Sequence, residues 1–234
     1  MIKSNTNLFS ENQVIFEDNH IIVINKKYGE LVQNDKTKDL SLVDKVKKFL
    51  KKKYLKPGNV FLGVVHRIDR PTSGLVIFAK TSKALKRLNL QFKNRIPKKK
   101  YLAVVSNKFP NDIGSLEHWL LRNKMKNKSF SYDKKVDNSK KGVLYYKKVK
   151  KLNNYSILEI ELKTGRHHQI RSQLSKIGFP IMGDLKYGSK RSNDKGYIGL
   201  HSYKLLIDHP ITKKKTEFIA SIPTYGIWKN VLFD

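Results

Sequence analysis

The 234-residue sequence contains no cysteine, which excludes disulfide bonds, cysteine-ligated metal sites and thiol nucleophiles. It also lacks any run of about 18 apolar residues, so no segment has the hydrophobic length of a transmembrane helix. The first residues, MIKSNTNLFSENQ, contain no apolar stretch of the kind that a secretory signal needs. We therefore expect a cytoplasmic protein, with no membrane partner, whose chemistry uses side chains other than thiols.

Acidic residues are scarce as well. Aspartate and glutamate total 19 against 49 lysines and arginines, which gives a formal net charge of +30 at pH 7. AT-biased coding raises lysine content without any selection for binding, but it does not account for so few acidic residues. The hydrophobic content of 39% is that of a globular protein rather than a disordered one. The charge makes a polyanion, and nucleic acid above all, the expected partner.

The stretch HRIDRPTSG holds one carboxylate in a strongly basic neighbourhood. Asp69 is the only acidic residue between Lys45 and Asn111, and Arg67 and Arg70 flank it. Nearby cations favour the ionised form of a carboxyl group, and an ionised aspartate held in a loop can act as a nucleophile or a general base. The alternative is that Asp69 only forms a salt bridge or caps a turn.

Two further clusters contain side chains suited to chemistry on a polyanion. In TGRHHQIRSQL, helical spacing places His167 and Arg171 on one face, where the guanidinium can pair with a carboxylate. In KKKYLAVV, Tyr101 follows three lysines and opens a strand, where its ring can stack on a base or pass a proton. Taken alone, these clusters also fit a basic helix face and an ordinary aromatic residue at a sheet end. His167 and His168 have no third ligand at a recognisable metal-binding spacing.

The pattern of apolar residues predicts more strands than helices. Hairpins are expected at VIFEDNHIIVINKK and around Asn153-Asn154, with further strands at LVIFAK, at YLAVV and near residues 200–207 and 216–222. Helices are expected over residues 40–54, after a cap at Ser82, and over HHQIRSQLSKIG. The polar segment 107–141 is expected to be a mobile excursion. These elements favour an α+β fold built on a largely antiparallel sheet.

In this order and spacing, the motifs resemble those of the RluA-type pseudouridine synthases. HRIDRPTSGLVIFAK resembles the HRLD-x-x-TSG-L motif of that family, KKKYLAVV its K-x-Y-x-A motif, and TGRHHQIR its GR-x-HQIR motif. GLHSYKL and VINKKYGELV are similar to its LHA-type and NKP-x-G segments. The resemblance runs from about Val14 to about Ile222. It implies the pseudouridine synthase fold, a central, mostly antiparallel mixed sheet in two sub-lobes, with flanking helices and loops around a basic cleft.

The resemblance also implies an activity, the isomerisation of uridine to pseudouridine in structured RNA, either ribosomal RNA or a tRNA stem-loop, without cofactor or metal. Such chemistry needs the base outside its stack. By the same resemblance, Asp69 would be the nucleophile and Arg171 would pair with it and orient it. Tyr101 would stack on the base and is the candidate for accepting the C5 proton.

Five more residues are expected at the substrate on the same grounds. His66 would support the catalytic loop, and Arg67 would enter the space left by the flipped uridine. Leu200 would pack against the base or the aspartate. His167 and Gln169, in the HQIR motif, complete the expected substrate-binding set.

The sequence departs from the family pattern at three positions. Lys27 stands where the family usually has proline, so we expect a less rigid turn there. His167 replaces a usual threonine, which is expected to alter a hydrogen bond near Arg171, and Ser202 stands where alanine is common. No N-terminal S4 RNA-binding domain is expected, because the first hairpin begins by Val14.

We expect residues 1–13 to form an N-terminal extension and residues 14–234 to form one catalytic domain that acts as a monomer. Two other functions remain open at this point. One is a non-catalytic RNA-binding or ribosome-assembly factor on the same fold. The other is an acid–base ribonuclease that uses His66 and Asp69 and would cleave RNA.

Overall fold

The computed structural model describes residues 9–35, 39–193 and 196–231. Over these ranges the chain forms eleven strands and three α-helices, which confirms the α+β fold expected from the sequence. Residues 1–8 of the expected N-terminal extension lie outside the described residues, and its last three form a short 3-10 turn, Glu11–Gln13. Across the described ranges, no helix has the length and apolar character needed to cross a membrane.

The chain divides into two compact units. Unit 1 contains Met1–Pro97 and Leu206–Ala220, and unit 2 contains Lys98–Leu205 and Ser221–Asp234. The expected domain boundary after residue 13 stays a prediction.

The strands of unit 1 include a hairpin, β1 (Val14–Glu17) and β2 (Ile21–Lys26), as the sequence predicts. The carboxylate of Asp18 fixes its turn by accepting the backbone N–H groups of His20 and Ile21, each at 2.7 Å. β2 also pairs antiparallel with β4 (Ser73–Ala79), and the short β3 (Gly63–Val64) pairs with β4. All seven residues of β4 are buried, as its continuous apolar run predicts.

The described residues of unit 1 include two α-helices. The first, α1 (Leu42–Lys53), begins after Ser41, whose Oγ accepts the N–H of Asp44 at 3.3 Å. The second, α2 (Ser82–Lys93), is capped by Thr81 and not by Ser82. Thr81 has extended backbone angles and accepts the N–H of Ala84 at 3.2 Å, so the helix starts one residue earlier than expected.

Unit 2 contains five strands that pair antiparallel in the order β5, β9, β8, β6, β7. Their bounds are Lys98–Ser106 for β5, Ile113–Asn123 for β6, Lys128–Tyr132 for β7, Lys140–Lys151 for β8 and Tyr155–Leu162 for β9. The hairpin of β8 and β9 around Asn153-Asn154 is the one that the sequence predicts. β10 (Leu200–Asp208) begins in unit 2 and ends in unit 1, where β11 (Lys215–Ile219) lies.

The segment 107–141 is ordered, so the expectation of a mobile excursion is wrong. β6 and β7 form a regular hairpin within it. Leu116, His118 and Leu120 are buried at every second position of β6, but one of the three is a histidine among many polar neighbours. Gln173 anchors this hairpin by donating to the Leu116 carbonyl and contacting His118 Nδ1, both at 3.1 Å.

The third helix, α3 (Gln169–Lys176), begins two residues later than His167. His168 adopts left-handed backbone angles, with φ of 52°, which separates the preceding loop from the helix. The expectation that His167 and Arg171 share a helix face is therefore wrong, because His167 does not lie on the helix. Arg171 does, and it is buried beside Ile170.

Candidate active site

The loop that carries Asp69 is tied to unit 1 on both sides of the aspartate. Asp69 is half-buried, and its carbonyl accepts the N–H of Thr72 at 3.0 Å. The next carbonyl, of Arg70, accepts the N–H of Gly29 at 2.8 Å and the ammonium of Lys26 at 3.2 Å. In return, Arg70 Nε donates to the Gly29 carbonyl at 3.0 Å. The backbone around Asp69 is thus fixed to the turn that follows β2.

Lys26 is a buried cation behind this loop, with 1% of its surface exposed. Besides Arg70, its ammonium donates to the carbonyls of Lys27 and Glu30, each at 2.9 Å, so three carbonyls use the three N–H bonds. Burial lowers the pKa of Lys26 to about 7, while the negative charges of Glu30 and Asp69 act to raise the pKa. In its protonated form, Lys26 therefore gives the Asp69 loop an anchor and a positive charge, which the sequence reasoning missed. The available signal was a lysine that ends an apolar strand.

At Lys27, where the family that the motifs resemble usually has proline, the backbone forms a hydrogen bond. The backbone N–H of Lys27 donates to Glu30 Oε2 at 3.0 Å, a bond that proline cannot form. Glu30 also accepts from Lys45 and from Gln13, each at 3.0 Å. The turn is held by these contacts, and its expected loss of rigidity stays a prediction.

The residues that flank Asp69 have separate partners. The ring of His66 stacks on Phe92 at 4.9 Å between centroids, and His66 Nε2 accepts the N–H of Ile77 at 3.2 Å. Arg70 forms an ion pair with Asp39 at 2.7 Å, so its guanidinium holds the neighbouring turn. Arg67 is exposed.

Unit 2 contains the other two motifs, and they lie against each other. Tyr101 is buried in β5, opposite Ile160 of β9, and Leu200 is buried at the start of β10. A Cβ atom at Gly165 would lie 3.1 Å from the Lys99 ammonium, so glycine allows the close approach of the TGRHH and KKKY segments. Burial lowers the pKa of Lys99.

Arg171 is held by a carboxylate that the sequence reasoning did not identify. Its Nε and Nη2 donate to the two oxygens of Asp184 at 2.7 and 2.9 Å, and both side chains are almost fully buried. Its Nη1 donates to Nε2 of His168 at 3.1 Å. Burial, together with the charge of Arg171, lowers the pKa of His168 to about 2, so the imidazole is neutral. The available signal for Asp184 was the single acidic residue in FPIMGDLKYG.

His167 and Gln169 bond inside the fold of unit 2. The ring of His167 stacks on His168 at 3.8 Å and contacts Ser129 Oγ at 2.9 Å and Asn127 Oδ1 at 3.2 Å. An effect of His167 on Arg171 can therefore pass through the stacked His168 ring.

The amide of Gln169 holds the TGRHH loop to β8. Its oxygen accepts the Thr164 hydroxyl at 2.8 Å and the N–H of Arg166 at 3.0 Å, and its nitrogen donates to the Val143 carbonyl at 3.2 Å. A role for Gln169 in substrate binding stays a prediction.

The site residues divide between the two units. Unit 1 brings together Asp69, His66 and Lys26, and unit 2 contains Tyr101 and Arg171 with their supports. The pairing of Asp69 with Arg171 stays a prediction. Among the residues that the structure describes, no group of three or more histidine and acidic side chains is placed to hold a metal ion.

Comparison with known proteins assigns this arrangement to a family. The family model for RNA pseudouridylate synthase matches residues 20–176. The chain is 36% identical to "Ribosomal large subunit pseudouridine synthase D" of Borreliella burgdorferi, over 90% of this chain and 65% of that protein. It is 32% identical to "Ribosomal large subunit pseudouridine synthase C" of Buchnera aphidicola subsp. Baizongia pistaciae, over 99% of this chain and 73% of that protein.

Solved structures agree at the level of the fold. "Human RNA Pseudouridylate Synthase Domain Containing 4" superposes with a TM-score of 0.76 at 21% identity, over 91% of this chain and 89% of that one. "Human RNA Pseudouridylate Synthase Domain Containing 1" gives 0.71 at 22% identity, over 91% and 84%.

The chain belongs to the RNA pseudouridylate synthase family, as its motifs predict. Its class is that of an RNA pseudouridine synthase, an isomerase. It spans just under two thirds of the length of the Borreliella relative.

Proposed function

We propose that this chain converts uridine to pseudouridine in structured ribosomal RNA, with Asp69 as the nucleophile. The observation that carries this proposal is the loop around Asp69. It presents the one carboxylate of a long basic stretch from a backbone held by Lys26, Gly29 and Thr72. Such a fixed carboxylate is what nucleophilic or base chemistry requires.

The reaction rearranges bonds within one nucleotide. The bond from N1 of uracil to C1′ of the ribose breaks, the base rotates, and C5 bonds to C1′ in its place. The proton on C5 leaves and N1 gains one, so no atom is added and no oxidant or reductant is needed. Asp69 assists the first bond cleavage by attack on the ribose, by attack on the base or by way of a glycal, and all three routes are compatible with the loop.

Tyr101 and Arg171 complete the proposed catalytic set. The Tyr101 ring stacks on the flipped uracil, and its oxygen is the candidate acceptor of the C5 proton. Arg171 orients and compensates the catalytic carboxylate through the N–H groups that Asp184 and His168 leave on its two terminal nitrogens, and its buried position suits it to this role. Around this set, Arg67 fills the place of the flipped base and Leu200 packs against the base. The remaining expected residues, His66, His167 and Gln169, position the HRIDRPTSG and TGRHHQIR motifs.

The net charge of +30 supports RNA as the substrate. A binding surface of lysines and arginines, which we place along the expected basic cleft, would attract the phosphate backbone, with an affinity that falls as salt rises. We also propose that the protein acts as a monomer in the cytoplasm.

The proposed target is large-subunit ribosomal RNA, because the relatives' names give that substrate for those proteins. A strain that lacks the gene should lose one or more pseudouridines from this RNA. The lost sites should be seen as missing carbodiimide-adduct stops in primer extension, and transcriptome-wide mapping should identify any others. Expression of the wild-type chain should restore the stops.

Two outcomes would contradict this assignment. Loss of stops from tRNA alone would retain the activity but overturn the ribosomal target. An unchanged pseudouridine map, together with defective ribosome assembly, would favour the non-catalytic assembly factor.

A further inference from the structure

Among the carboxylates in the described part of unit 2, Asp184 is the most deeply buried. It is 1% exposed, and both of its oxygens accept from the buried Arg171 guanidinium. Distances of 2.7 and 2.9 Å and the two-point geometry are those of a strong charge-assisted pair. Asp184 lies beyond residue 176, the last residue that the family model matches.

The backbone of Asp184 is fixed as firmly as its side chain. Its N–H donates to the Ile181 carbonyl at 3.0 Å, and its own carbonyl accepts from the N–H groups of Tyr187 and Ser189 at 3.0 and 3.1 Å. Gly183 precedes it with φ of 81°, a left-handed conformation that favours glycine. The fold therefore holds in place the backbone from which the Asp184 carboxylate projects.

His168 and Tyr187 hold the guanidinium from other directions. Arginine only donates hydrogen bonds, so His168 Nε2 must accept from Nη1, and the neutral ring carries its proton on Nδ1. That Nδ1–H donates to the Tyr187 hydroxyl at 2.9 Å, which also accepts the backbone N–H of Ser129 at 2.8 Å. The Tyr187 ring lies 5.0 Å from Arg171 Cζ, so it packs against the guanidinium.

Together, Asp184, His168 and Tyr187 form what we call the Arg171 support. The support uses three of the five N–H groups of the guanidinium. Arg171 directs its other two N–H groups, one on each terminal nitrogen, to other acceptors. Their direction is set by the support and not by the flexible arginine side chain alone.

We propose that Asp184 is a positioning residue of the isomerisation, which fixes the Arg171 guanidinium in its catalytic orientation with the help of His168 and Tyr187. This inference rests on the proposed catalytic role of Arg171. Asp184 touches neither the base nor the ribose in this scheme. Its removal should therefore slow the chemical step and leave RNA binding almost unchanged.

The test compares Asp184→Asn with the wild-type full-length chain in single turnover on RNA that carries [5-³H]uridine. Asparagine keeps the shape but replaces one acceptor by a donor and removes the charge. We expect the rate constant to fall roughly 10–100-fold, as misplacement of a catalytic group does, with the RNA dissociation constant within about threefold. Asp184→Glu, which restores the charge, should recover part of the rate.

Asp18→Asn is the matched control. It removes a partly buried carboxylate that bonds His209 at 2.9 Å in unit 1, so it costs stability in the unit that does not contain the Arg171 support. Its rate per folded molecule should equal that of the wild type. Urea unfolding of each variant gives the folded fraction used for this correction.

Tyr187→Phe decides the matter if Asp184→Asn does not fold. It removes only the hydroxyl that links His168 to Ser129, and a reduced rate with unchanged RNA affinity would support the proposal. A wild-type rate per folded molecule in Asp184→Asn, or in Tyr187→Phe where only that variant folds, would overturn the inference. No tritium release by the wild-type chain would instead overturn the proposed function on which it rests.

Discussion

At the scale of single residues, buried charges organise both halves of the candidate site. Lys26 and Asp184 are each 1% exposed, and each bonds a residue of a catalytic motif, Arg70 in one unit and Arg171 in the other. The sequence marks each of them only weakly, Lys26 as a lysine that ends an apolar strand and Asp184 as a lone acidic residue, and local spacing does not show which distant group either will meet. Asp69 could be identified, because its isolation among cations is visible in the sequence itself.

Lys26→Met is expected to destabilise unit 1. Methionine fills a similar volume but leaves the carbonyls of Lys27, Glu30 and Arg70 without their shared donor. Relief from burying the charge offsets part of this, and we expect a net loss of about 1–3 kcal/mol in the free energy of unfolding. Urea unfolding at pH 7 measures it.

Lys27→Met is the control for this prediction, since Lys27 is the next residue and its side chain is exposed. It should change stability by less than about 0.5 kcal/mol. Equal stability of Lys26→Met and wild type would show that the ammonium does not anchor the Asp69 loop.

At the scale of elements, strands with long apolar runs could be predicted and the ends of helices could not. β2, β4, β8 and β9 lie where apolar periodicity places them. The β6–β7 hairpin was missed because lysines and asparagines crowd its turn, residues 123–128, and because one of the three inward residues of β6 is a histidine. The start of α3 was missed because the left-handed angles of His168 depend on its ring meeting Arg171 and Tyr187, and these are tertiary contacts.

The neutral His168 ring predicts a pH dependence of stability at the start of α3. The pKa of His168 is about 2 in the folded chain against 6.5 for an ordinary histidine. Below pH 6.5 the unfolded chain takes up a proton that the folded chain refuses, so this residue lowers stability as pH falls and has no such effect above that range. The stability difference between wild type and His168→Gln should therefore shift against the wild type by about 1.4 kcal/mol per pH unit well below 6.5.

Urea unfolding of both proteins between pH 7.5 and about pH 5 measures this shift. Parallel curves over the whole range would mean that His168 takes up a proton equally in the folded and unfolded chains. His168 would then be charged in the folded chain, and a charged imidazole could not accept a hydrogen bond from the Arg171 guanidinium.

At the scale of the whole molecule, attraction to RNA and the proposed reaction depend on different groups. The net charge of +30, which arises from 49 basic residues against 19 acidic ones, attracts a phosphate backbone. The proposed reaction depends on one carboxylate held in a loop. A single neutral substitution at that carboxylate should therefore remove the activity while the attraction to RNA persists.

The dependence of the reaction on the Asp69 carboxylate can be measured as the single-turnover rate of Asp69→Asn on RNA that carries [5-³H]uridine, with RNA affinity measured on the same preparation. Asp112→Asn, a substitution of an exposed aspartate on unit 2, is the control and should match the wild type. We expect no tritium release above background by Asp69→Asn and an RNA dissociation constant within about threefold of the wild type, because the phosphate contacts remain. Substantial tritium release by Asp69→Asn would show that the reaction does not depend on the Asp69 carboxylate.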